Sequence, residues 1–265
     1  MTYPTSLGVS TTTQITLLGQ DLADDLIGSV GFGELAFWLV TLQRPTPQQT
    51  RVFEACLVAL ADHGFTPTAI AARLTYLSAP DALQGALAAG LLGGGSRFLG
   101  VTEDTGAFLA DAVTKARAAG TLPEGDDDAA WDALAADAVR ARAAAGGKVP
   151  GLGHHLHKQG DPRVPRLYAV AQEEGQVGPH LRLFAAVGRV ARETLGKDLP
   201  LNGAGAVGAA LADLGLPVEL LRGFALLART AGLLGQLAEE VRRPIAGRIF
   251  AAVEGAAEYL PPEGA

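Results

Sequence analysis

The sequence predicts an all-α protein, and three observations carry that expectation. Apolar residues recur at spacings of three and four, alanine is plentiful throughout, and period-2 alternation bounded by turn residues is almost absent. Along the chain, Thr13 to Leu18 is the one weak candidate strand. Val52, Phe53, Cys56, Leu57 and Leu60 mark one face of a helix that starts after Thr46-Pro47 and ends at Asp62-His63, just before Gly64. Leu83, Leu87 and Leu91 continue the pattern after Pro80-Asp81, and Leu183, Val187 and Val190 repeat it behind Pro179. Leu220, Phe224, Leu227 and Ala231 open a long helix that runs to about Glu240. No internal repeat interrupts the series.

Composition narrows the class of protein. The 265 residues are 48% apolar, 6% aromatic and 18% charged, a core-forming mixture that excludes a disordered or collagen-like chain. Cys56 is the single cysteine and cannot form an internal disulfide, so a reducing, cytoplasmic setting is expected. No apolar run approaches the ~20 residues that a bilayer demands, so no membrane association is expected. The net charge of −7 argues against a nucleic-acid partner, which needs a basic face.

The charges are unevenly spread. Thr102 to Asp137 is acidic around Asp126-Asp127-Asp128 and reads as a solvated loop. Val139 to Leu167 turns basic, with Arg140, Arg142, Lys148, Lys158, Arg163 and Arg166 against Asp161 alone. This basic stretch contains a loop, Lys148-Val149-Pro150-Gly151-Leu152-Gly153-His154-His155-Leu156-His157-Lys158, followed by Asp161-Pro162-Arg163. Glycines allow backbone N–H groups close to a ligand, and such loops favour anions. Pro162 is placed to start a helix whose positive end adds to that preference. Histidines exchange protons near neutral pH, and arginine matches a carboxylate or phosphate with a planar fork. These residues describe an anion-binding loop with an acid–base group; they also fit a histidine-rich surface loop that binds metal adventitiously. No cysteine cluster or histidine spacing on one helix face meets a metal-ligand set, so no metal is expected.

Val149-Pro150-Gly151-Leu152-Gly153-His154 with Asp161-Pro162-Arg163 resembles the PGFGH…DPR signature of the citrate synthase superfamily. Other pieces follow in the family's order. Leu18-Gly19 to Leu42 with Pro45-Thr46-Pro47 is similar to its opening segment, and Ala61-Asp62-His63-Gly64 to its ADHE motif. Gly90-Leu91-Leu92-Gly93-Gly94-Gly95 stands where the family has GPLHGGA, and Leu201-Asn202-Gly203-Ala204 where it has an N-V-D segment. Arg229-Thr230-Ala231-Gly232 through Glu239-Glu240 resembles its RxxG…H…EQ helix, and Arg243-Pro244 its closing Arg-Pro. Gly90-Leu91-Leu92 with Ser96-Arg97-Phe98 is most similar to the short branch labelled citryl-CoA lyase.

The resemblance implies a two-lobed citrate synthase-like fold. Residues 1–95 and 201–265 would form a large helical lobe and residues 96–200 a small lobe with a CoA-binding loop. At this length it implies a minimal version of the fold with both lobes intact. It implies that His154 and His63 are catalytic and that Arg163, Arg229 and Arg243 bind the carboxylates of an oxaloacetate-like keto acid, the last across the two-fold interface of a homodimer. Lys148, Gly151, Leu152, Gly153 and Lys158 would bind CoA. A CoA thioester would be a substrate, with no permanently bound cofactor.

The departures from the pattern matter. The family enolises acetyl-CoA with an aspartate and a histidine, and the matching positions hold Ala204 and Gly93, which move no proton. The N–H groups of Gly93 and Gly94 are then the expected oxyanion donors. Gln236 replaces a histidine, keeping hydrogen bonding without acid–base capacity. His155 and His157 read as phosphate contacts or solvated residues, Glu239-Glu240 as a solvated helix end or an arginine's partner, and His180 and Cys56 as structural. The leading expectation is a carbon–carbon lyase that cleaves citryl-CoA or a similar β-hydroxy acyl-CoA to acetyl-CoA and a keto acid. The alternatives are altered acyl-CoA chemistry, such as thioester hydrolysis or condensation with another keto acid, and a non-catalytic CoA or dicarboxylate binder.

Overall fold

A computed structural model describes residues 2–154 and 156–262. The chain forms two compact units, one of Met1–Ala59 with Val101–Arg222, the other of Leu60–Gly100 with Gly223–Ala265. This division differs from the lobes expected at residues 95/96 and 200/201. At the second of these boundaries the reason lies in the helix Gly203–Asp213, which packs against the three helices Val101–Ala118, Arg163–Glu173 and Pro179–Leu195 and so joins their unit.

The first unit opens with a small antiparallel sheet, β1 (Gly8–Ser10), β2 (Ile15–Leu17) and β3 (Gln20–Asp21), with Val9 opposite Thr16 and Leu17 opposite Gln20. The expected strand at Thr13 to Leu18 is thus the middle of three. Helix α1 (Phe32–Thr41) follows, then α2 (Pro47–Ala61), whose Val52, Phe53 and Cys56 are buried as their spacing predicts. Phe53 meets Phe37 edge-on, with ring centroids 5.5 Å apart. Burial pushes the Cys56 thiol up to about 12, which leaves it an un-ionised core group.

Among the described residues, this unit continues with α5 (Val101–Ala118), α6 (Asp128–Ala144), α7 (Arg163–Glu173), α8 (Pro179–Leu195) and α9 (Gly203–Asp213), and the glycine- and histidine-rich loop lies between α6 and α7. α9 is buried along almost its whole length and is built from glycine, alanine and a few aliphatics. A Cβ on Gly208 would lie 2.2 Å from the carbonyl oxygen of Thr102, so α9 and α5 touch backbone to backbone. Glycine weakens a helix by ~1 kcal/mol relative to alanine, and here the close packing outweighs that propensity. The acidic run is not the solvated loop expected, since α5 and α6 take up most of it and part of its charge is paired. Asp126, Asp128 and Asp132 pair with Arg182 and Arg189 of α8, but these pairs are largely exposed and contribute little.

The second unit holds the last two residues of α2 with α3 (Pro67–Ser78), α4 (Leu83–Leu92), most of α10 (Leu221–Arg242) and α11 (Ala246–Glu254). Its core is made of Ala69, Ala72, Ala86, Leu233 and Leu237, with Tyr76, Leu87 and Leu91 against them. Alanines on α3 and α4 let these helices approach closely. Inside this core lies a charge, the fully buried side chain of Arg73. No helix among the described residues is long and apolar enough to cross a membrane.

One carboxylate ties α9 to α8. The N-cap of α8 is Gly178, which has no side chain to satisfy the helix's first N–H groups. Asp213, the last residue of α9, accepts them instead, from Gly178 at 3.0 Å and from His180 and Leu181 at 2.9 Å. The His180 Nδ1 lies 2.8 Å from the same carboxylate, consistent with the structural role expected of that histidine. Asp213→Ala leaves these donors buried and unmet, and we expect a loss of about 3 kcal/mol in urea unfolding.

Candidate active site

In the first unit, the loop expected to bind CoA is strapped to the start of α9. Gly153 N–H donates to the Pro200 carbonyl at 2.7 Å, and Asn202 N–H to the Gly151 carbonyl at 2.9 Å, with Leu152 bridging to Leu201 between them. The Asn202 side chain adds a further tie: its amide nitrogen donates to the Gly153 carbonyl, and its oxygen caps α9 by accepting Gly205 N–H, both at 2.9 Å. Gly151 must be glycine. Its φ is +81°, and a Cβ would lie 2.6 Å from the Phe184 ring. Lys148 and Lys158 are exposed, and the Lys148 carbonyl accepts from Arg142 Nε at 3.1 Å.

Asp161 sits where the loop ends. Its Oδ1 accepts Arg163 N–H (3.1 Å) and Nε (2.9 Å), and its Oδ2 accepts Arg163 Nη2 and Gly203 N–H, both at 2.7 Å. Burial opposes ionisation of this carboxyl, but the Arg163 side chain and the Gly203 and Arg163 N–H groups outweigh it and hold the carboxyl well below the usual range. Arg163 Nη1 donates to the Ala59 carbonyl at 3.1 Å. The planar fork that the sequence assigns to a substrate carboxylate therefore already grips its neighbour's, and one N–H on each terminal nitrogen is left unused by these bonds.

His154 has a defined tautomer. Its Nδ1 accepts the N–H groups of Leu156 at 3.1 Å and His157 at 3.0 Å, so the proton of the neutral ring sits on Nε2. The His157 ring stacks on it with centroids 4.5 Å apart. His155 lies outside the described residues. Ala204, in the first turn of α9, supplies no proton-transfer group.

In the second unit, His63 is half-buried just past the end of α2. Arg229 is buried on α10, where Nε and Nη2 donate to the Leu60 carbonyl at 3.4 and 3.2 Å, and Nη1 reaches Thr66 Oγ1 at 3.3 Å and Thr68 Oγ1 at 3.5 Å. Gly93 lies against Thr68 as well, since a Cβ there would be 3.2 Å from its methyl. Thus Arg229, Gly93 and Thr68 gather at one place. The two expected oxyanion donors do not present their N–H groups there: those of Gly93 and Gly94 both donate to the Leu91 carbonyl, closing the end of α4. Arg243 is exposed, its own N–H held by the Glu239 carbonyl at 2.6 Å.

Sequence reasoning missed Thr66, Thr68 and Arg73. Thr66-Pro67 is a readable helix start, and Thr66 does cap α3 by accepting Ala69 N–H at 3.3 Å. Nothing in the sequence marks its second contact, with Arg229. Arg73 carries no local signal, because its partners lie more than 160 positions away on α10.

The Asp161 geometry predicts a pH dependence. A carboxyl with a depressed folded-state pKa contributes stability that is full above its unfolded value of about 3.9 and is lost as pH falls through the folded value. Asp161→Asn should cost about 3 kcal/mol in urea unfolding at pH 7, and the gap from the parent protein should narrow as pH drops below about 4.

Three known proteins place these features in a family. The citryl-CoA lyase structure from Hydrogenobacter thermophilus superposes with a TM-score of 0.82 at 28% identity, over 99% of this chain and 97% of that one. The citrate synthase of Deinococcus radiodurans is 29% identical over 83% of this chain and 55% of its own length. An ATP-citrate synthase beta chain from Oryza sativa subsp. japonica is 26% identical over 77% of this chain and 34% of its own length. The chain therefore spans about a third to about half of these sequence relatives. The family model for the citrate synthase C-terminal domain matches residues 20–250, and the chain belongs to the citrate synthase family.

Proposed function

We propose that this protein is a carbon–carbon lyase that cleaves citryl-CoA, or a close β-hydroxy acyl-CoA, into acetyl-CoA and oxaloacetate or a similar keto acid. The observation that carries the reading is the 28% identity to a citryl-CoA lyase over nearly the full length of both chains. In such a cleavage the tertiary hydroxyl loses its proton and its oxygen becomes the ketone. The bond between the carbinol carbon and the thioester α-carbon breaks, its electron pair passes to the thioester enolate, and a proton returns to that carbon.

The His154 tautomer supports one assignment. A ring with its proton on Nε2 and its Nδ1 occupied donates to the substrate oxygen and steadies charge there; it is not the base. With His154 occupied in this way the base falls to His63, the second of the two histidines that the resemblance makes catalytic. Arg163, Arg229 and Arg243 remain the candidate carboxylate ligands. Lys148 and Lys158 are the candidate CoA phosphate ligands, with Gly151, Leu152 and Gly153 shaping the loop. The CoA thioester is a substrate in this scheme, and a cytoplasmic homodimer completes it.

Purified protein given citryl-CoA, with oxaloacetate followed through a coupled dehydrogenase, should show turnover that His154→Ala lowers by about 10²–10⁴-fold. Release of free CoA thiol without oxaloacetate would identify thioester hydrolysis instead. Tight oxaloacetate binding with no turnover would point to a binder.

A further inference from the structure

Three residues of α10 spaced three and four apart grip the end of α2 at successive positions. Arg229 donates to the Leu60 carbonyl. A Cβ on Gly232 would lie 1.8 Å from the Ala61 carbonyl oxygen, so the two backbones meet only because that residue is glycine. Gln236 Nε2 donates to Asp62 Oδ1 at 2.9 Å. His63 comes next. The other Asp62 oxygen accepts Gly64 N–H at 2.9 Å, which closes a turn centred on His63.

The orientation of the Gln236 amide is imposed from behind. Arg73 has donors only, and its Nε and Nη2 both meet Gln236 Oε1, at 2.9 and 2.7 Å. The amide nitrogen must therefore face Asp62. Arg73 is itself fixed by Glu240 at 2.7 Å, Glu239 at 2.6 Å and the Phe65 ring beneath it. The order runs from guanidinium to amide oxygen, from amide nitrogen to carboxylate, and from carboxylate to the turn that carries His63.

We propose that Gln236, oriented by Arg73, is a positioning residue for His63, holding the Asp62 carboxylate and through it the turn from which the imidazole projects. This inference rests on the part assigned to His63 in the proposed reaction. A neutral amide is suited to that role, because it supplies an acceptor on one side and a donor on the other without titrating.

Gln236→Met and the near-isosteric Gln236→Glu both remove the donor to Asp62 and leave Arg73 its two glutamates. Each should lower kcat for citryl-CoA cleavage by about 10- to 100-fold with KM changed less than about 3-fold, as expected for a displaced reacting group. The His63 ring resonances, assigned through their loss in His63→Ala, should move in both variants. In the His63→Ala background Gln236→Met should cost nothing further, because the two act as one unit. Unmoved ring resonances, or an equal added loss in the double variant, would overturn the proposal. A parent protein without citryl-CoA turnover would sink the lyase reading alone, and the resonances would still decide the positioning role.

Discussion

The Asp161 carboxylate meets backbone N–H groups from the first residue of α7 and the first residue of α9, and the guanidinium of Arg163 besides. A carboxylate removed from water costs several kcal/mol unless such donors replace its hydration. Here they do, and the compensation has a geometric consequence. Two helix N-termini, each with a partial positive charge, converge on one anion instead of repelling each other. The loop from Gly151 to His154 is strapped to the same end of α9 through Pro200, Leu201 and Asn202. The position of the His154 ring is therefore referenced to Asp161 through a short series of hydrogen bonds.

The second unit follows the same logic with the opposite sign. Arg73 is a fully buried cation whose charge is met by Glu240 and Glu239 and whose remaining donors go to Gln236. Glu240 uses its other oxygen to accept the N–H groups of Ile245 and Ala246 at 2.9 and 2.8 Å, capping α11. Burial opposes its ionisation, yet the Ala246 N–H, Arg73 and the Ile245 N–H together hold its carboxyl below the usual range. An apolar pair in place of Arg73 and Glu240 would spare the cost of taking two charges out of water. It would offer no donor to Gln236 and no acceptor to α11, so what the ion pair contributes is placement.

Legibility from sequence followed the range of each interaction. The faces of α2, α4, α8 and α10 were readable because helical periodicity is local, and Pro47 and Pro179 mark two of the starts. α9 was not readable as a helix from propensity, since its glycines are explained only by the backbone of α5 lying against it. The Asp161-Pro162-Arg163 motif was legible as a place for a carboxylate. That the carboxylate in the fork is Asp161 follows only from the bend at the start of α7. Gln236 read in the sequence as the loss of an acid–base group. Its role as an oriented link depends on Arg73 and Asp62, both far away in the chain. Gly93 and Gly94 misled for a related reason: a glycine run signals close backbone approach, and here the approach serves the end of α4.

The absence of side-chain chemistry at Ala204 and Gly93 bears on one step of the proposed reaction, the proton transfer at the thioester α-carbon. Condensation must first take a proton from the α-carbon of acetyl-CoA, a weak carbon acid, and that step needs a placed base. Cleavage forms the same enolate by breaking a carbon–carbon bond, so the electrons arrive without any α-proton being removed. Only the return of a proton remains, the reverse of the step with which condensation begins, so a base missing from one direction is a proton donor missing from the other. What cleavage does require is a group that steadies the oxygen as it passes from hydroxyl to ketone. An imidazole with its proton locked on Nε2 by the N–H groups of Leu156 and His157 meets that requirement. The His154 tautomer thus suits the carbon–carbon step, and the missing groups at Ala204 and Gly93 leave the proton transfer at the α-carbon to water in either direction.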